Sequence, residues 1–192
     1  RYLRDAQRRG MQVIAVDPRR SELASRADVH LQVRPGEDPT LLAGMVRVIL
    51  EEDLSDRAFV AAHLEGVAEL RAAVASFTPD YVEARAGVRA DFVQQAARLF
   101  ARGPRGAAVA ATGVNMAPRP DVTTHLVCVL NSLCGRFNRE GDEVANPGVL
   151  TPLRPRHAEV VPPREIWGKG YRSRFRGLGE FMGEMPINVF AD

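Results

Sequence analysis

Two carboxylates stand directly after apolar runs that are typical of buried strands. Asp17 follows residues 12–16 (QVIAV), and Asp38 ends a Pro-Gly turn that comes after residues 29–33 (VHLQV). In an open parallel sheet, ligands bind outside the carboxyl ends of the strands, so both side chains are predicted at one edge. A carboxylate offers acceptors, and the vicinal hydroxyls of a ribose offer two donors. The pattern therefore favours a nucleotide site at that edge.

The carboxylate of Asp38 also has the chemistry to choose between purines. Guanine carries adjacent donors on N1 and N2, which one carboxylate accepts together, and adenine has no such pair on that edge. Asp38 is equally suited to capping the helix that begins at Pro39, because Asp followed by Pro is a favoured helix start. The sequence leaves both roles open, since the same two oxygens cannot fill both completely.

The residues around Asp17 carry their own alternatives. An aspartate before Pro18 is also a common turn residue, so Asp17 has a purely structural interpretation as well. Arg19 and Arg20 can stack on a purine or pair with phosphate, or they can simply be solvated. Ser21 can cap the short helix that is predicted over residues 21–26.

A third segment with binding potential lies near the middle of the chain. Residues 106–111 (GAAVAA) predict a strand of small residues, which suits a place where a ligand or another backbone comes close. Residues 112–116 (TGVNM) follow as a loop. Gly113 lets the backbone approach a ligand, and Asn115 offers both donors and an acceptor. A plain strand-to-loop turn is the alternative.

The order of the predicted elements indicates an α/β fold. Helices are predicted over residues 1–9, 40–51, 55–65, 67–76, 78–86, 89–101 and 121–133, the last capped by Asp121. We expect a Rossmann-like parallel sheet with helices on both faces over residues 1–141, its first strand lying upstream of Arg1. Residues 142–192 lose helical periodicity and mix arginine with aromatic residues, so we expect an irregular, extended arm that packs on a neighbouring domain or subunit.

Composition and cysteine spacing limit the classes of function. A net charge of +2 on 192 residues gives no general case for binding nucleic acid. No apolar run approaches the roughly 18 residues of a membrane helix and no signal peptide is visible, so we expect a cytoplasmic protein. Cys128 and Cys134 fall in one predicted helix, too far apart for a disulfide, and we expect buried free thiols. The four histidines show no metal spacing, so no catalytic or metal-ligating residue is predicted.

Five motifs, in order along the chain, resemble the molybdopterin oxidoreductase superfamily, whose members carry a bis(molybdopterin guanine dinucleotide) cofactor. GMQVIAVDPRRSELASRADVHLQVRPGED is similar to the family's strand, D-P-R, A-D, strand and P-G-x-D elements. The others are the helical stretch over residues 41–70, FTPDYVEARAGVRADFVQQAARLFA, ATGVNM followed by LNSLCGRFNREGD, and FMGEMPINVFAD. Together they span nearly the whole chain.

The resemblance implies a fragment of the catalytic subunit of a molybdenum or tungsten oxidoreductase, of the formate dehydrogenase, nitrate reductase or dimethyl sulfoxide reductase types. The fragment would bind the guanosine end of the cofactor and be inactive alone. The other domains of the same polypeptide would be its partners, and the electron-transfer partner stays unidentified. The iron–sulfur cluster and the metal ligand would lie elsewhere, because Cys128 and Cys134 match neither position.

The resemblance also implies which residues meet the cofactor. Met116 departs from the family pattern, because many members carry glutamine there and a thioether cannot donate a hydrogen bond. The implied cofactor-binding residues are Asp17, Pro18, Arg19, Arg20, Ser21, Gly36, Glu37, Asp38, Thr112, Gly113, Asn115 and Met116.

Two other classes of function remain open. In an NAD(P)-binding dehydrogenase domain, Asp17 would hold the adenine ribose, and Arg19 and Arg20 would accept a 2′-phosphate; this requires a glycine-rich loop upstream of Arg1. The other alternative is a non-catalytic interaction domain of a larger enzyme, which would bind no nucleotide.

Overall fold

The computed structural model describes residues 2–144, 156–160, 167–181, 184–185 and 187. They belong to two compact units, Arg1–Phe137 and Asn138–Asp192. The first unit contains every residue predicted to bind a cofactor, so its elements decide how those side chains are positioned.

A small parallel sheet carries the first two predicted strands. Strand β1 (Ile14–Val16) pairs with strand β2 (Val29–Leu31), and Ala15 lies opposite His30 in the register. Helix α1 (Tyr2–Arg8) precedes β1, and one turn of 3₁₀ helix (Ala24–Arg26) connects the strands. Because the strands are parallel, Asp17 and the turn after β2 leave the sheet at the same edge.

Seven further helices follow the sheet in the described part of the first unit. They are α2 (Asp38–Glu51), α3 (Arg57–His63), α4 (Val67–Val74), α5 (Pro79–Ala86), α6 (Ala90–Arg102) and, after the short α7 (Thr112–Asn115), α8 (Pro120–Leu133). Two helices begin at side-chain caps: Asp56 accepts from the Phe59 N–H and Thr78 from the Tyr81 N–H. The cap at Thr78 confirms the predicted start of α5, whereas α3 begins two residues after the predicted start at residue 55. Such caps satisfy backbone donors that a helix leaves free at its start.

Helix α2 is the centre of the core. Most of its residues are buried, and it packs against α4, α5, α6 and α8. Gly44 makes the close approach to α5 possible, since an added Cβ would stand 2.5 Å from Val82 Cγ2. The largest fully buried apolar side chains come from the β2 segment, α2, α5, α6 and α8: Leu31, Val33, Leu41, Val46, Ile49, Val82, Val93, Leu130 and Leu133.

The strand predicted over residues 106–111 is wrong: none of these residues belongs to a strand. The Asn131 side chain instead pairs with both backbone groups of Ala108. The Ala108 N–H donates to Asn131 Oδ1 at 2.8 Å, and Asn131 Nδ2 donates to the Ala108 oxygen at 2.9 Å. An amide from α8 therefore satisfies the backbone that a neighbouring strand would satisfy in a sheet.

Three other local predictions are also corrected. Asp121 does not cap α8, which begins one residue earlier at Pro120, with Arg119 at the cap position; proline is favoured at the first helical position. Residues 112–116 are not a loop, because Thr112–Asn115 form α7. Cys134 is buried as expected, but Cys128 lies on an exposed part of α8.

The second unit contains two antiparallel strand pairs within its described residues. Strand β3 (Glu143–Val144) pairs with β4 (Arg156–His157), and β5 (Trp167–Arg172) pairs with β6 (Gly179–Phe181). The predicted arm is therefore partly regular. Most of the motif FMGEMPINVFAD lies outside the described residues. Across the described parts of both units, no helix combines the length and the apolar character that crossing a bilayer demands.

Candidate functional site

The loop after β1 is ordered around the Asp17 carboxylate. The Arg19 N–H donates to Asp17 Oδ1 at 2.8 Å. This hydrogen bond, joined by one from the Ser21 hydroxyl, lowers the pKa of Asp17. The carboxylate is thus held ionised, with its acceptor capacity partly used by its own turn, so the turn interpretation of Asp17 has a structural basis. A carboxylate has about four acceptor positions, so it can still accept from a ligand.

Two side chains of β2 fix the backbone of the same loop. His30 Nε2 lies 2.9 Å from the Asp17 carbonyl oxygen, and Gln32 Nε2 donates to the Pro18 carbonyl oxygen at 3.0 Å. Since a carbonyl oxygen can only accept, His30 carries its hydrogen on Nε2 in this contact. Pro18, Arg19 and Arg20 themselves are exposed.

The turn after β2 is anchored to the carboxyl end of α5. The Arg34 guanidinium donates to the Ala84 and Arg85 carbonyl oxygens at 2.8 and 2.9 Å, and the Arg34 N–H donates to the Ala86 oxygen. Cationic groups are favourable at this end of a helix, where carbonyl oxygens lack partners. The turn then reverses direction at Gly36, whose φ of +86° suits glycine.

Glu37 stabilises this turn through both oxygens of its carboxylate. The Thr40 hydroxyl donates to Glu37 Oε2 at 2.6 Å, and Arg85 forms an ion pair with Oε1 at 3.0 Å. The hydrogen bond from Thr40 is the main reason that the pKa of Glu37 is lowered, with Arg85 and Arg119 adding to it. Both carboxylate oxygens of Glu37 therefore already have partners within the protein.

The Asp38 carboxylate differs from that of Glu37 in its partners. It is half-buried as the first residue of α2, and burial raises the pKa of its carboxyl above the ordinary value of 3.8. Its carboxylate hydrogen-bonds to its own backbone N–H. Within the part of the chain that the structure describes, no other residue donates to it or pairs with it. A partly desolvated carboxylate without a counter-ion is costly unless a ligand provides the donors.

The chain shortly after the third predicted segment contacts this turn. A Cβ on Gly36 would stand 3.6 Å from the Pro118 ring, so the chain just after α7 contacts the turn that precedes Asp38. Thr112, Gly113, Asn115 and Met116 are all exposed, and Met116 is 81% exposed. Nothing within 4 Å would meet a Cβ on Gly113. Open space around Gly113 leaves room for a ligand there.

A cleft in the described part of the first unit lies away from these residues. Its volume is about 490 Å³, and its lining residues are Gln12, Gln95, Arg98, Leu99, Arg102, Gly103 and Pro104. Gln12 precedes β1, whereas Asp17 follows it, so this cleft is at the other end of the strand. None of the predicted cofactor-binding residues lines the cleft.

The described residues contain no group of three His, Cys, Asp or Glu side chains placed to hold a metal ion. Burial raises the pKa of the Cys134 thiol to about 11, so this cysteine is a neutral core residue at neutral pH.

Several residues of the site were not predicted from the sequence. Arg34 and Arg85 hold the second turn through contacts across the fold, and nothing in their local sequence signals this. Thr40 holds the turn locally, three residues after Glu37. His30 and Gln32 had a signal: they are the alternating polar residues of VHLQV, placed one strand away from Asp17.

Comparisons with known proteins agree with the resemblance. No protein-family model matches the sequence. The chain is 37% identical over 135 residues to formate dehydrogenase H of Escherichia coli, covering 70% of this chain and 19% of that protein. It is 32% identical over 140 residues to the thiosulfate reductase molybdopterin-containing subunit PhsA of Salmonella typhimurium, covering 72% of this chain and 18% of that subunit.

A solved structure supports the same relationship. The structure of acetylene hydratase from Pelobacter acetylenicus matches with a TM-score of 0.69 and 31% identity, over 74% of this chain and 21% of that one. The chain thus spans about one fifth of the length of the relatives it matches. By its motifs, its relatives and its fold, the chain belongs to the molybdopterin oxidoreductase superfamily.

Proposed function

We propose that the chain is a segment of the catalytic subunit of a molybdenum or tungsten oxidoreductase and that it binds the guanosine end of a molybdopterin guanine dinucleotide. The observation that carries this proposal is the environment of Asp38. Its half-buried carboxylate has no partner from another described residue, and it lies beside the Gly36 turn that follows the parallel sheet. Guanine N1–H and N2–H supply the two adjacent donors that this carboxylate lacks.

The remaining predicted residues then divide by role. Asp17, held ionised in its turn, accepts from the ribose hydroxyls, while Arg19 and Arg20 lie exposed beside it for the phosphates or the purine face. Gly36 allows the turn, and Glu37 fixes it without contacting the nucleotide. Exposed Thr112, Gly113, Asn115 and Met116 border the side of the site beyond Pro118.

In the full-length protein, the metal of the cofactor supplies two-electron redox chemistry, and the protein contributes binding and orientation. We propose that the iron–sulfur cluster and the metal ligand lie outside this segment. The wider Rossmann-like sheet would be completed by other parts of the same polypeptide, beside β1 or near residues 106–111. We also propose that residues 1–141 form the cofactor-binding part and residues 142–192 the connecting arm.

The test is the nucleotide content of the full-length enzyme carrying Asp38→Ala. After acid release, we expect much less guanine nucleotide and less molybdenum or tungsten per polypeptide than in the parent enzyme. Asp80→Ala is the matched control, because Asp80 is also an acid in the first turn of a helix beside a proline but is exposed. Guanine and metal at parental levels in Asp38→Ala would refute the assignment.

The same measurement separates the alternative functions. An NAD(P)-binding domain would release adenine nucleotide instead of guanine nucleotide from the parent enzyme. An interaction domain without a nucleotide would show no change in bound nucleotide for any substitution at Asp17 or Asp38.

A further inference from the structure

Arg119 lies beside the turn that carries Asp38. It directly follows Pro118, whose ring is in contact range of Gly36, and it precedes α8 at the cap position without a side-chain capping bond. Its backbone φ is +59°, in the left-handed region that non-glycine residues rarely adopt. Arginine therefore occupies a position where glycine is the unstrained residue.

The Arg119 guanidinium is available for a ligand. It is exposed, and within the described part of the chain it takes part in no hydrogen bond or ion pair. Its charge nevertheless lowers the pKa of Glu37, the residue next to Asp38, so the guanidinium acts on this turn.

The other cations around Asp38 are already engaged. Arg85 forms an ion pair with Glu37, and Arg34 donates to carbonyl oxygens at the end of α5. Arg119 and Asp38 do not pair with each other in the structure. The guanidinium donors of Arg119, and the acceptor positions of Asp38 that its own backbone N–H does not use, are therefore left for a ligand. A ligand with adjacent donors and acceptors can bind the Asp38 carboxylate and the Arg119 guanidinium together.

Guanine has this arrangement. Its N1–H and N2–H are donors, and its O6 and N7 on the adjoining edge are acceptors that the planar fork of arginine matches in a bidentate contact. We propose that Arg119 donates to O6 and N7 of the guanine whose N1 and N2 are bound by Asp38. This inference rests on the proposed function and adds to it a second specificity-determining residue, one that rejects bases without the O6–N7 acceptor pair.

Two nucleotide analogues test the two residues separately in the full-length enzyme freed of its cofactor. Inosine monophosphate lacks the N2 amino group that Asp38 would bind, and 7-deaza-GMP lacks the N7 acceptor that Arg119 would bind. Affinities for GMP and for both analogues are measured by calorimetry for the parent, Arg119→Gly, Arg119→Gln and Asp38→Asn. Bidentate base contacts correspond to about 5- to 150-fold in affinity.

We expect both Arg119 variants to bind GMP at least 5-fold more weakly and to lose the preference for GMP over 7-deaza-GMP, while keeping the preference over inosine monophosphate. Asp38→Asn should lose the preference for GMP over inosine monophosphate and keep the preference for GMP over 7-deaza-GMP. Arg119→Gly should also unfold at an equal or higher temperature, because glycine relieves the left-handed backbone; a purely structural arginine would not give that combination.

Arg119 variants that bind GMP and 7-deaza-GMP as the parent does would overturn this inference. If Asp38→Asn also retained the preference for GMP over inosine monophosphate, the proposed function itself would be wrong. If only the Arg119 variants were unchanged, Asp38 would remain the guanine-binding residue and Arg119 would not be one.

Discussion

Glu37 and Asp38 are adjacent acids in one turn, yet their environments shift their pKa values in opposite directions. The hydrogen bond from Thr40 lowers the pKa of Glu37, whereas burial raises that of Asp38. Glu37 is therefore a structural carboxylate that the protein has satisfied, and Asp38 is a carboxylate that the protein has partly desolvated without giving it a partner. This difference is the physical basis for assigning the ligand to Asp38.

The shift at Asp38 predicts a pH dependence. Because its folded-state pKa lies above the ordinary 3.8, the folded chain holds this proton more tightly than the unfolded chain. The contribution of Asp38 to the free energy of unfolding therefore decreases as pH rises from below 3.8 through the folded-state pKa. Asp38→Asn removes this penalty, so we expect the cofactor-free variant to be at least as stable as the parent near pH 7.

Urea unfolding of the two cofactor-free proteins, near pH 4 and near pH 7, measures this effect. The stability difference in favour of the variant should be larger at the higher pH. A variant that is clearly less stable near pH 7 would show instead that the ionised carboxylate stabilises the first turn of α2. The cap role that the sequence leaves open for Asp38 is wrong, because Glu37 stands at the cap position and Asp38 is the first helical residue.

Thr40→Val tests the anchoring of the turn. The substitution removes the 2.6 Å hydrogen bond to Glu37 while keeping the shape of a buried side chain. A hydrogen bond to a charged group contributes roughly 1.5–3 kcal/mol, so we expect a loss of that size near pH 7. The loss should shrink as pH falls below the ordinary 4.5 of Glu37, because its lowered pKa stabilises the fold only while it is ionised. A loss of stability that is the same near pH 7 and below pH 4.5 would contradict the role of ionised Glu37.

His30→Ala tests the support of the Asp17 loop. Without the 2.9 Å contact to the Asp17 carbonyl, we expect a loss of about 1 kcal/mol in stability and a lower guanine content in the full-length enzyme. His125→Ala is the control, because His125 is an exposed histidine of α8. Equal guanine contents in the two variants would show that His30 does not support nucleotide binding.

Asn131→Leu tests the pairing that replaces a strand at residues 106–111. It leaves the N–H and the carbonyl oxygen of Ala108 without the side-chain amide, and we expect a loss of about 1–3 kcal/mol, measured by thermal unfolding. Asn131→Asp keeps the acceptor for the Ala108 N–H but places a carboxylate oxygen near the Ala108 and Val127 carbonyl oxygens, so it should also be destabilising. If both variants unfolded like the parent, the amide would not be holding this segment.

Much of the local structure was predictable because it depends on local chemistry. The cap at Thr78, the turn at Gly36 and the strands ending near Asp17 and residue 33 follow from residue types at fixed offsets. The amphipathic pattern of α6 predicts a buried side formed by Phe92, Val93, Ala96 and Leu99. Val93 and Ala96 are fully buried, whereas Phe92 is 37% exposed.

What failed depended on contacts between distant residues. The apolar run at 106–111 has the composition of a strand, but Asn131 is the partner of its backbone, and the sequence does not show that contact. One of the two partners of Glu37, Arg85, likewise comes from another helix, and so the different environments of Glu37 and Asp38 could not be distinguished from their spacing. Arg119 gave no sequence signal at all, because its left-handed backbone is visible only in the structure.

The most direct test of the central claim is an experimental structure of the full-length enzyme with its cofactor bound. We expect both oxygens of Asp38 to lie about 3 Å from guanine N1 and N2, and Asp17 to be within hydrogen-bond distance of a ribose hydroxyl. A structure in which neither carboxylate contacts a purine or a sugar would contradict the claim that this edge of the sheet binds the guanosine.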